Sequence, residues 1–188
     1  DTMYHRPVDV RTTLIKRCQA APGDELRIIN TQVYINGSPA KNPAKEQTSY
    51  TVVTDGSAIN PQVLHDCSIE LLQQLSPIAY EMIIPPAHLA EFKKYSDIKS
   101  VTPVIEPAGV YDASVFPHND HFKWNVDNFG PIRMPKKGWT IPLNDSTMTL
   151  YRRAIELYEN NKVAVKGKDI YINDKKADRY TFKMNYYW

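Results

Sequence analysis

Three turn signals between residues 14 and 37 constrain this chain more than any other feature. Pro22-Gly23-Asp24, Asn30-Thr31 and Asn36-Gly37 separate short apolar runs, so the backbone must reverse repeatedly over a short stretch. The runs predict strands at 13–18, 25–29 and 32–35, because each is brief and rich in residues that suit a pleated surface. Asn36-Gly37 has the composition of a type I′ turn, in which both central residues take positive φ. The result is antiparallel β structure. Alternation over 13–18 puts Leu14, Lys16 and Cys18 on one face and Ile15 and Arg17 on the other. An ammonium that shares a face with apolar side chains is either solvated, its stem snorkelling outward, or desolvated and reactive.

Past Pro39 the texture changes. Residues 38–49 are polar and read as a linker. Residues 50–160 mix the two periods. A strand at 50–54 precedes a helix from Asn60-Pro61 through Leu75, with Val63, Leu64, Cys67, Leu71, Leu72 and Leu75 on one stripe. A strand at 80–84, a helix at about 87–95 and a strand at 101–105 follow, which is an α+β pattern. Residues 106–138 form a long loop of prolines, aromatics and Asn/Asp, including Asn128-Phe129-Gly130-Pro131. A strand at 139–143 leads into a helix capped by Asp145 or Ser146 and running to about Asn160. A hairpin over 163–172 with a Gly167 turn and a strand at 180–182 close the chain. Val33-Tyr34-Ile35-Asn36-Gly37 and Ile170-Tyr171-Ile172-Asn173-Asp174 share one pattern. The echo suggests either convergent hairpin chemistry or two hairpins side by side in one sheet.

Bulk properties narrow the function. A net charge of +2 with no long basic run argues against nucleic acid. No stretch approaches about 18 consecutive apolar residues, so no segment reads as a membrane span. Cys18 and Cys67 read as free thiols. His118 and His121 sit in a proline-rich polar loop without further ligands, so no metal site and no cofactor is expected.

The run from Ile15 to Gly37 resembles the lysine box of the bacterial type I signal peptidases, the membrane-bound serine proteases that remove secretory signal peptides. Ile15, Lys16, Arg17, Pro22, Gly23, Asp24, Val33, Tyr34, Asn36 and Gly37 stand in register with it. Residues 125–138 resemble the segment that returns to the protease core, and Tyr180–Trp188 the strand leading into the family's G-D-N-R-x-x-S box. Neither that box nor the S-M-x-P nucleophile box occurs in the sequence. The resemblance therefore implies the central part of a signal peptidase.

What it implies can be stated residue by residue. The fold is mostly β with an α+β insert, an antiparallel β core of the signal-peptidase type that is incomplete in this chain. Residues 1–38 carry the first part of that core, 39–160 the insert and 161–188 the returning strands. Lys16 is the catalytic general base of a Ser/Lys dyad whose serine lies outside the chain. Thr13, Leu14 and Ile15 form the edge on which the substrate lies extended. The partners are signal peptides of exported preproteins and the membrane, reached through an N-terminal anchor outside the chain. The setting is the inner (cytoplasmic) membrane, with the catalytic domain on its periplasmic or outer side. By itself the chain should be inactive. Two alternatives stay open: a catalytically inactive relative that binds exported peptides by strand addition, and an autoproteolytic repressor-type Ser/Lys protease.

Overall fold

The structure, a computed structural model, describes residues 16–43 and 47–188. In chain order its elements are β1 (Glu25–Ile29), β2 (Gln32–Ile35), β3 (Ser38–Pro39), β4 (Ser49–Thr54), α1 (Pro61–Asp66), β5 (Glu70–Ser76), β6 (Ala79–Ile83), α2 (Pro86–Phe92), β7 (Ile98–Pro103) and β8 (Phe129–Arg133). There follow β9 (Thr140–Pro142), α3 (Asp145–Arg153), a π-helical turn at Ala154–Tyr158, β10 (Val163–Lys166), β11 (Asp169–Ile172), β12 (Lys175–Lys176) and β13 (Arg179–Thr181). The fold is mostly antiparallel β with a few short helices, consistent with a signal-peptidase-type core. Two compact units divide it: residues 1–26 with 132–188, and residues 27–131. These limits follow residues 26 and 131, whereas the sequence pattern sets them at 38 and 160.

In the unit spanning 27–131, one sheet has the order β5-β6-β4-β7. Strand β4 alternates, with Tyr50, Val52 and Thr54 buried. Val52 and Tyr50 join Met82, Ile84, Cys67, Ile69, Phe92 and Ile98 in one apolar cluster beneath α1 and α2. Burying such side chains contributes about 1.5–3 kcal/mol each, and it is the main force that holds this layer.

Helix α1 starts where the sequence places it. Asn60 is the N-cap, its Oδ1 accepting from Gln62 N at 2.9 Å, and Pro61 follows at the first helical position. It stops after six residues, not at Leu75. Ser68 takes φ of +51° and turns the chain out of the helix. Residues 70–76 pair with β6 as an edge strand. Leu71, Leu72 and Leu75 are 48, 44 and 50% exposed. Val63, Leu64 and Cys67 of the stripe face the core, but beyond them the ladder to β6 prevails over the helical spacing. The ladder skips Leu72 and Leu75, which makes each the extra residue of a bulge.

The second sheet has the order β3-β2-β1-β8. Strand β8 lies inside the stretch read as loop from 106 to 138, so that expectation is corrected for 129–133. Both turns of the hairpins take the left-handed conformation they require: Asn30 and Thr31 at φ of 47° and 72°, Asn36 and Gly37 at 52° and 79°.

In the unit formed by 1–26 and 132–188, β9 pairs with β13 and the strands β10-β11-β12 form a sheet. Helix α3 is capped by Asn144, ahead of the expected Asp145 or Ser146. Asn144 and Thr147 exchange two hydrogen bonds of 3.0 Å, which makes a capping box. Phe182 is fully buried and stacks on Trp139 at 5.7 Å, with Tyr151, Tyr180 and Tyr186 packed edge-on around it.

The internal echo is a shared turn. Asn173 and Asp174 have φ of 52° and 64°, matching Asn36 and Gly37. The hairpins lie in different sheets, because each turn closes onto its own short third strand, β3 or β12.

Candidate functional site

The lysine segment runs from Lys16 to Asp24. Thr13, Leu14 and Ile15 lie outside the described residues. The strand expected at 13–18 is absent over 16–18, which have no regular structure. Among the described residues the backbone pairs from Gln19 onward. Gln19 N and Ala20 N donate to Trp188 O at 2.6 and 3.3 Å, and Trp188 N donates to Ala20 O at 3.0 Å. One such pair is too short to propagate a strand back to Lys16. Lys16, Arg17 and Cys18 are exposed, and Cys18 Sγ donates to Ala20 O at 3.5 Å. Lys16 has no ion pair among the described residues.

Beyond Ala20 the segment is held firmly. Asp24 Oδ2 accepts from Ala21 N at 2.9 Å, and Asp24 N donates to Ala21 O at 3.0 Å, which fixes the Pro22-Gly23 turn. Gly23 N donates to Met134 O at 2.9 Å, and Met134 N donates to Asp24 O at 2.7 Å. Gly23 has φ of +94°, and a Cβ there would come within 3.1 Å of Lys136 Cδ. Both the conformation and the space call for glycine. The segment is therefore gripped at two points, Ala20 by Trp188 and Gly23-Asp24 by Met134.

The segment that leads to Trp188 is itself held by a buried carboxylate with no signature of its own in the sequence motifs. Glu159 accepts from Tyr180 Oη at 2.5 Å, Lys183 N at 2.9 and 3.0 Å, Met184 N at 3.0 Å and Tyr186 Oη at 3.3 Å. Asn161 extends the network: its Nδ2 donates to Tyr180 Oη at 2.8 Å and its Oδ1 accepts from Asn173 Nδ2 at 2.9 Å. Among the described residues no buried side-chain polar atom lacks a partner. Burial, then the Glu159 hydrogen bond and charge, push the Tyr180 hydroxyl well above its usual range. Burial and the Glu159 charge do the same at Tyr186. Tyr151, which donates to Arg133 O, is pushed up to about 12 by burial. A signal for Glu159 was present in the sequence: it continues the buried stripe Met148, Tyr151 and Ile155 at helical spacing.

A family model described as signal peptidase, peptidase S26, matches residues 3–125. The chain belongs to the signal peptidase family. Comparison with curated proteins and with solved structures gives no match. The signal peptidase match includes Lys16 and the Pro22-Gly23-Asp24 turn and ends ahead of β8. Members of this family act on signal peptides of preproteins, by serine peptidase activity, in association with membranes.

In this member of the signal peptidase family, no helix among the described residues is long and apolar enough to cross a membrane. Among the same residues no group of His, Cys, Asp or Glu could hold a metal ion. His118 Nδ1 instead lies 2.9 Å from Ala113 O. Cys18 and Cys67 are free thiols. Cys67 is the C-cap of α1, not a mid-helix residue, and burial raises its thiol above the usual range, with Glu91 and Asp66 adding to the effect.

Proposed function

We propose that this chain carries the general-base lysine of a Ser/Lys signal peptidase anchored in the inner membrane, with its catalytic domain on the outer side. Lys16 is that base, and the nucleophilic serine comes from outside these 188 residues. The observation that carries the reading is the position of Lys16: it lies within the matched residues, with Arg17 after it and the Pro22-Gly23-Asp24 turn at the family's spacing.

The neutral lysine amine takes the proton from the serine hydroxyl as its oxygen attacks the scissile carbonyl carbon. The ammonium so formed returns the proton to the leaving amine, and a water, activated in the same way, hydrolyses the acyl-enzyme. A lysine in open water is almost wholly charged at neutral pH, so a working base needs cover. Lys16 is exposed, and the cover is supplied by the serine-bearing segment and by the substrate. Thr13, Leu14 and Ile15 run alongside the extended substrate, adding backbone hydrogen bonds of the strand-addition kind.

The test is cleavage of a signal-peptide-bearing preprotein by the intact gene product and its variants. Lys16→Met should lower the rate by about 100- to 10,000-fold, the range for loss of a general base, while Arg17→Ala should retain most activity. A Lys16→Met enzyme within about tenfold of the parent would sink the assignment. Peptide binding without cleavage by the unsubstituted protein would favour an inactive peptide-binding relative.

A further inference from the structure

Residues 104–128 carry neither strand nor helix, and a segment of that length is ordered only where something fixes it. Two buried asparagines do so. Asn125 Nδ2 donates to Pro107 O at 2.9 Å and Val110 O at 3.1 Å, while its Oδ1 accepts from Asn128 N at 2.8 Å and Asp127 N at 3.1 Å. Asn128 Nδ2 donates to Glu106 O at 2.8 Å, and its Oδ1 accepts from Asn30 N at 3.1 Å. Both amides are engaged through oxygen and nitrogen, so the loop is formed before any ligand arrives.

Against this loop lies a cleft of about 380 Å³, a size that suits a small molecule or a headgroup. Its aromatic wall is a run of tilted rings, Phe122 to Trp124 at 4.8 Å and Trp124 to Phe129 at 4.6 Å. Arg27, Lys123 and His121 also line it, and no aspartate or glutamate does. Among the described residues neither Arg27 nor Lys123 makes an ion pair. The Lys123 ammonium lies 5.8 Å from the Tyr111 ring, which orients it without neutralising it.

We propose that this cleft binds a phosphate ester. A phosphate offers several oxygens and up to about two negative charges. The Arg27 fork takes two of those oxygens, Lys123 adds a point charge, and the His121 ring supplies a further N–H donor. A single carboxylate would leave part of this donor set unused. The ester's substituent rests on Trp124 and Phe122. Two sources carry such a group, a soluble phosphate compound and a phospholipid headgroup.

Two probes separate them. Phenyl phosphate is titrated to about 10 mM, enough to reveal a Kd near 1 mM, with amide and indole NMR as the readout. Shifts should concentrate at the Trp124 indole, the amides of 122–124 and those of 27–29. Arg27→Gln with Lys123→Gln, both at exposed sites, should weaken binding at least about tenfold, the loss of a charge-assisted contact, and leave the remaining spectrum unchanged. In parallel, cosedimentation compares phosphatidylcholine vesicles with and without phosphatidylglycerol. Retention on the anionic vesicles that the double variant loses assigns the site to a headgroup. Phenyl phosphate binding without it assigns a soluble ester. The proposal is overturned if the double variant responds like the parent to whichever probe binds, or if neither probe gives a response centred on the cleft.

Discussion

The two units are held by different means. Residues 27–131 pack an aliphatic and aromatic cluster around Val52, Met82, Ile84 and Phe92, side chains that need no hydrogen-bonding partner. The unit of 1–26 and 132–188 surrounds Phe182 with tyrosines and places Glu159 and Asn161 in its interior, each with several partners at set distances. A core of the first kind tolerates changes of shape that keep its volume, whereas a core of the second kind depends on counting donors and acceptors. The second kind also fixes direction. Glu159 binds the backbone of Lys183 and Met184, and that segment pairs through Trp188 with Ala20, four residues from Lys16.

The difference can be broken or sharpened by substitution. The largest loss is expected from Phe92→Ala, about 3–5 kcal/mol, read by denaturant unfolding, with amide exchange accelerating within 49–104. Glu159→Gln keeps the volume but turns an acceptor into a donor facing backbone N–H groups. It should cost about 2–3 kcal/mol and speed exchange at the amides of Ala20, Lys183 and Met184. The volume-conserving Met82→Leu in the other unit should stay below about 1.5 kcal/mol. Equal costs for Glu159→Gln and Met82→Leu would erase the distinction.

Alkali acts on both cores, through the raised Cys67 thiol in one and through buried tyrosines in the other. With Tyr151 at about 12 when folded and near 10 when unfolded, the unfolded chain releases its proton first as pH rises. Stability is therefore intact below pH 10 and falls between 10 and 12, by up to about 2–3 kcal/mol for this group. Tyr180 and Tyr186 act in the same direction. Tyr151→Phe should flatten that fall, as thermal unfolding at pH 7 and pH 11 would show. The smallest effect is expected at the edge of the aliphatic unit: Leu72→Gln, at a 44% exposed site, should change stability by no more than about 0.5 kcal/mol.

Much of this architecture was legible in the sequence where turn chemistry or alternation is strong. The turns at Asn30-Thr31 and Asn36-Gly37 demand positive φ and have it. Strand β4 alternates in burial as its residues do. Residues 61–76 misled because three leucines at helical spacing also fit a bulged edge strand, and periodicity carries no information about what lies opposite. Strand β8 was hidden by its own glycine and proline, Gly130-Pro131, which mark loops more often than strands. At the candidate site, the lysine and its turn were legible from resemblance, while the grip by Trp188 and Met134 was not. Those contacts are made by backbone groups far away in the chain, and no local pattern encodes them.

The bulged edge strand has a consequence for the protein in concentrated solution. Strand β5 is a sheet edge that carries exposed leucines and no lysine or proline within it, which is the profile of a segment that recruits further copies into a ladder. What interrupts its outer rim is the pair of extra residues, Leu72 and Leu75. The most hydrophobic positions of the strand are therefore also its guards against fibril growth. Deleting both would straighten the edge while lowering its mean hydropathy, and the shortened protein should gel or fibrillise sooner than its more apolar parent.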